Sequence, residues 1–189
     1  SQILEERGQT EEAIKICDEV VWRYGKREEP ALAVWVAEAL NRKGTILAEM
    51  GRLEESLPIF ESVVQQFGYH KEPILAENVA MALANKTLNL LELGRFEEVV
   101  EVADVLEQRF EQYSDPEIAE HVAKSKCRKS DALIELGRQE DALMVCDELW
   151  KKYADADESE VAVSVAKGLL SKGIIHGNLG REEAALGSF

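Results

Sequence analysis

The sequence predicts an all-α fold, a solenoid of antiparallel helix pairs. Three observations predict it. A nine-residue phrase recurs as EMGRLEESL from Glu49, ELGRFEEVV from Glu92, ELGRQEDAL from Glu135 and NLGREEAAL from Asn178, with a worn copy, ERGQTEEAI, from Glu6. Its glycines, Gly8, Gly51, Gly94, Gly137 and Gly180, stand 43 residues apart, and so do Pro30, Pro73 and Pro116, with Ser159 in the fourth place. Between these landmarks apolar residues keep helical spacing, with no competing strand alternation. Two landmarks with one period and no insertion mark a stacked repeat.

Each unit reads as two helices. The first runs from about Pro30 to Met50. Proline suits the first turn of a helix, where its missing N–H costs nothing, and Asp115 precedes Pro116 as an N-cap. Leu32, Val36, Leu40, Leu47 and Met50 form the apolar stripe. Gly51 closes the helix, because a positive φ is cheap only for glycine. The second helix opens on Glu54 and Glu55, which favour the positive end of the helix dipole. It buries Leu57, Phe60, Val63, Val64 and Phe67, and the next unit repeats these columns as Val100, Ala103, Leu106 and Phe110. The recurring phrase is therefore the turn between two helices. Small pairs four apart, such as Ala33 with Ala37 and Ala76 with Ala80, let helices approach closely. The expected organisation is one array over 1–189: a partial first unit at 1–29, complete units at 30–72, 73–115 and 116–158, and a truncated last unit at 159–189. Opening and closing mid-unit, it reads as a fragment of a longer chain.

Composition narrows the function. The 189 residues carry 46% hydrophobic and 31% charged residues and a net charge of −15. That balance argues against a nucleic-acid binder, whose affinity rests on Lys and Arg, and against an anionic membrane surface. No apolar run approaches the roughly 20 residues of a membrane helix. The odd, sparse set of Cys17, Cys127 and Cys146 fits a reducing, cytoplasmic setting. Metal-binding spacing, a phosphate loop and a placed acid–base pair are all missing, so no enzyme, metal or cofactor is expected.

The columns resemble the tetratricopeptide repeat. The stretch KGTILAEMGRLEESL carries Gly44 and Gly51 at that family's glycine spacing. Ala13, Ser56, Val99, Ala142 and Ala185 stand in its small-residue column. Cys17, Phe60, Ala103, Cys146 and Phe189 stand in its aromatic column. Two features depart from the family: the unit is 43 rather than 34 residues long, and its leucine column in the first helix is Lys43, Lys86, Lys129 and Lys172. The period alone also suits a HEAT or armadillo array; the tight LGR-x-EE turn favours the tetratricopeptide repeat. The resemblance implies a right-handed superhelical solenoid that binds a protein or peptide along a concave groove.

The lysine column projects toward the core side, and a buried lysine needs a partner. Two acidic columns keep the same period: Asp18, Glu61, Asp104 and Asp147, and Glu11, Glu54, Glu97, Glu140 and Glu183. The structural reading is a ladder of Lys–carboxylate pairs between helices; the alternative is a row of cations for an acidic ligand. By resemblance, the concave face holds Glu38, Asn41 and Thr45 in the first complete unit. The second offers Met81, Ala84, Leu88 and Leu91, and the third Lys124, Cys127 and Asp131. The fourth offers Lys167, Leu170 and Ile174. Apolar members there mean burial against something: either neighbouring units or a partner's helix. Trp22 and Trp150 are expected to cover unit junctions, and Trp35 shares a variable surface column with Asn78, His121 and Ser164. The sequence is expected to encode a protein–protein interaction scaffold. Its rivals are a regulatory arm of a larger enzyme or signalling protein, and an array that self-associates through its open ends.

Overall fold

The computed structural model describes residues 2–27, 29–155 and 159–178. Among them are eight helices and no strand: α1 (Gln2–Tyr24), α2 (Pro30–Glu49), α3 (Leu53–Phe67), α4 (Pro73–Glu92), α5 (Phe96–Phe110), α6 (Pro116–Glu135), α7 (Gln139–Tyr153) and α8 (Ser159–Asn178). The chain divides into two compact units, 1–89 and 90–189, with the division inside α4. In the first unit α1 packs on α2 and α2 on α3, while α4 is tied to α3 by Asn89 Nδ2 donating to Ser56 Oγ at 2.6 Å. In the second, α5 packs on α6, and α6, α7 and α8 pack on one another.

The turns explain the repeated phrase. Gly51, Gly94 and Gly137 have φ of 75°, 70° and 73°. Each closes a helix with the same pair of backbone bonds; at the first, Gly51 N–H reaches Ala48 O at 2.8 Å and Arg52 N–H reaches Leu47 O at 2.9 Å, the pattern of a Schellman end. The arginine after each glycine then clips the next helix. Arg52 donates through Nε and Nη2 to the Glu55 carboxylate at 2.8 and 2.7 Å. Arg95 does the same to Glu98, and Arg138 to Asp141. This two-point clip is charge-assisted and fixes orientation.

The worn copy behaves differently. A turn was expected at Gly8, but α1 runs unbroken from Gln2 to Tyr24. Gln9 stands where the other copies have arginine, and Glu12, at the position of the clipped carboxylate, pairs with Lys15 instead. Without the clip, the helix continues through its glycine, at a cost of about 1 kcal/mol. The last copy, with Gly180, Glu183, Ala185 and Phe189, lies outside the described residues.

Burial follows the apolar columns. Phe60 and Val63 of α3 are fully buried, as are Leu106 of α5 and Leu149 of α7 within the limits of a percent. Gly44 sits so close to Phe60 that an added Cβ would lie 2.6 Å from the ring. That close approach explains a glycine inside a helix. Asp115 caps α6 by accepting from the Glu117 and Ile118 N–H groups. In α8, Ala162 and Ala166 are exposed, unlike Ala76 and Ala80 in α4; residues 179–189, next in the repeat register, lie outside the described set.

The lysine ladder is present. Lys43 meets Asp18 at 2.5 Å, Lys86 meets Glu61 at 2.7 Å, Lys129 meets Asp104 at 2.5 Å and Lys172 meets Asp147 at 2.6 Å. Each pair joins the second helix of one repeat to the first helix of the next. The lysines are largely covered and the carboxylates half exposed, so stems pack while charges stay near water, and each pair contributes under about 1 kcal/mol. The second acidic column serves the turn: Glu11 accepts from Arg52 at 3.1 Å.

One buried cation was not anticipated. Lys126 of α6 is 3% exposed and pairs with Glu107 of α5 and, at 2.9 Å, with Glu148 of α7. Burial pushes its pKa down, but the two carboxylates outweigh that and leave it raised. Lys126 occupies the column of Leu40 and Leu83, so this unit replaces an apolar core position with a three-helix ionic clamp.

Three outcomes follow. Gly44→Ala should destabilise by about 1–3 kcal/mol, since Phe60 has nowhere to move; chemical denaturation checks this. Lys126→Met should cost on the order of 1–3 kcal/mol, because Glu107 then keeps only Lys129, at 3.7 Å, and adding Glu107→Leu should recover most of it, since Lys129 retains Asp104 and a buried pair is replaceable by apolar groups. The Lys86 hydrogen bond, opposed by partial burial, holds the Glu61 carboxyl below its ordinary 4.5. A lowered folded-state pKa stabilises above the free value and the benefit is lost as pH falls through it. Glu61→Gln should therefore melt below wild type at neutral pH, and the gap should close as the pH falls through the Glu61 titration below its ordinary range, by circular dichroism.

Candidate partner-binding surface

A concavity with apolar walls belongs to the first unit. It is a groove of about 830 Å³ between α1 and α2, with Met81 of α4 at its wall. Helical spacing on α1 places Ile16, Val20 and Tyr24 on one ridge, four residues apart. On α2, Trp35, Ala39, Arg42 and Ile46 form the facing ridge. Ile16 is 60% exposed and Trp35 61%, which is unusual for large apolar side chains facing each other across a groove. Glu38, Thr45 and Glu49 add polar groups, and the volume is in the range of ligand-binding clefts.

Four of the residues expected on a concave face meet here: Glu38, Asn41, Thr45 and Met81. Asn41 is only 2% exposed. Its Nδ2 donates to Asn78 O and to Asn78 Oδ1 of α4, both at 3.0 Å, so it joins two first helices. Ala84 is buried and offers no surface to a partner. Leu88 and Leu91 are half-buried and do not line the groove.

In the second unit the expected face is turned onto a neighbouring helix. Lys124 of α6 pairs with Glu120 at 2.5 Å and with Glu160 of α8 at 3.2 Å. Cys127 Sγ donates to the Ser164 carbonyl at 3.0 Å, and Asp131 is hydrogen-bonded to Ser171. Burial pushes the Cys127 thiol up to about 11, which keeps it protonated and unreactive. Cys17 and Cys146 are raised by burial too, and all three cysteines are free. On α8, Lys167 is exposed, and Leu170 and Ile174 are 52% and 51% exposed.

Other expectations change. Trp22 is 78% exposed and Trp150 is 47% exposed. Trp35, left as a variable surface position, is a wall of the groove. Sequence reasoning missed the α1 ridge, although Ile16, Val20 and Tyr24 at a spacing of four were visible. The lysine column is engaged by carboxylates and presents no row of free cations. Among the described residues no group of His, Cys, Asp or Glu is placed to hold a metal, and no helix is long and apolar enough to cross a membrane.

The family model of the tetratricopeptide repeat matches residues 37–66, which covers the end of α2, the Gly51 turn and nearly all of α3. No curated protein matches the chain. Repeats of this family are in general protein–protein interaction motifs. The helix–turn–helix built on Gly51 and clipped by Arg52 is thus the part of the chain that matches the tetratricopeptide repeat.

Proposed function

We propose that the chain is a non-catalytic interaction scaffold whose α1–α2 groove takes an amphipathic helical segment of a partner protein. The observation that carries this is the pair of facing apolar ridges, Ile16–Val20–Tyr24 and Trp35–Ile46, left open in the first unit. An amphipathic helix lays anchors at i, i+3 or i+4 and i+7 into a groove of this kind. Trp35 is the natural anchor contact, since tryptophan concentrates binding energy. Glu38, Thr45 and Met81 line the same groove, and Glu38 favours a segment with a basic residue. The net charge of −15 steers such a partner more than it tightens the complex. Three free cysteines suit a reducing, cytoplasmic setting.

A displayed library of amphipathic helices of about 20 residues tests the reading. Selected peptides should bind in fluorescence anisotropy. Trp35→Asp and Ile16→Asp should each weaken binding roughly tenfold or more, with circular dichroism unchanged because both side chains are exposed. Trp22→Asp, off the groove, should bind as wild type. Equal effects of Trp22→Asp and Trp35→Asp would remove the groove from the account.

A further inference from the structure

We infer that Lys126 is a shared counter-ion that sets the two seams of α6 against each other, so that one can yield while the other holds. One seam lies between repeats, where α6 packs on α5. The other lies within a repeat, where α6 packs on α7.

The columns show what was exchanged. Where Lys126 stands, the other copies carry Leu40, Leu83 and Leu169, and where Glu107 stands they carry Val21, Val64 and Trp150. Two apolar positions have therefore become opposite charges that meet. A leucine holds each neighbour by the area it covers, and the two holds add. An ammonium that is 3% exposed behaves otherwise. Glu107 of α5 and Glu148 of α7, the latter at 2.9 Å, both accept from it. The two carboxylates repel each other across the cation they share, so withdrawing one tightens the grip of the other. Withdrawing both strands a buried charge. Each seam gains strength as the other loosens.

The two holds are unequal. Glu107 is 18% exposed and has Lys129 as a second cation at 3.7 Å, whereas Glu148 is 59% exposed. Water screens the Glu148 bond more. The α7 seam is then the one that yields, and the α5 seam keeps the register between repeats. Two nearby contacts stand apart from this cluster. Lys129 is held by Asp104 at 2.5 Å, and Lys152 of α7 donates to the Glu111 carbonyl at the end of α5 at 2.6 Å. Neither passes through Lys126, so neither makes one seam answer to the other. The result is a compliant joint: the second helix of this repeat can loosen without releasing the first helix from the repeat before it.

Hydrogen exchange of the α6 amides in the whole chain reads the opening. Glu148→Gln should lower their protection by less than about fivefold, and Glu107→Gln by roughly tenfold. The double variant should lose at least roughly tenfold more than the product of the two. Lys126→Met decides the matter, because its sign should invert. It should lower protection when both carboxylates are present and raise it by roughly tenfold when both are gone. A double variant that does not fold, beside a triple variant that does, is the same result in its extreme form. Effects of the two glutamates that simply multiply would overturn the inference. So would a Lys126→Met effect of one sign in both backgrounds, or a triple variant that fails to fold along with the double one.

Discussion

Everything in this molecule hangs on how each helix pair is reversed. A glycine at positive φ ends the first helix, and the arginine behind it grips a carboxylate three residues into the second. The glycine supplies the backbone geometry and the arginine fixes the direction in which the chain leaves it. The copy at Gly8 has the glycine and lacks the arginine, and there the helix passes through. Where both are present, the second helix always starts at the same distance from the first, so every column keeps its register from one repeat to the next.

That constancy lets side chains do the same work repeatedly. The lysines at Lys43, Lys86, Lys129 and Lys172 each reach a carboxylate on the preceding helix. None of these pairs contributes much alone, because the carboxylates stand near water. Their value is specificity: a slipped register would strand four mostly covered ammonium groups. Lys126 takes the same principle deeper. It places one cation between three helices, where an apolar residue would pack as well but would not discriminate.

Much of this was legible in the sequence. The period gave the helix pairs, the glycines gave the turns, and the matching of a lysine column to an acidic column gave the ladder. The unread parts have physical reasons. The arginine clip was hidden because a carboxylate in the first turn already has an explanation in the helix dipole. Lys126 was hidden because it departs from its column in one unit only, although Glu107 departs with it. Lys124, Cys127 and Asp131 of α6 were placed on an open face by resemblance, and they bond to α8 instead. The groove was least legible, since it depends on which helix faces α1 and α2, and single-chain columns do not state this.

The same columns connect fold and function. Asn41 with Asn78 and Cys127 with Ser164 show how one first helix receives the next, and the ridges of the α1–α2 groove stand beside the first of these contacts. The central claim is that this groove docks an amphipathic helix. The most direct measurement is photo-crosslinking from a benzoylphenylalanine placed at position 35 to a helix selected from a displayed library, with the captured residues mapped by mass spectrometry. Crosslinks that converge on the apolar face of the selected helix are the result this account requires. Crosslinks scattered over the helix, or equal capture from position 22, would contradict it.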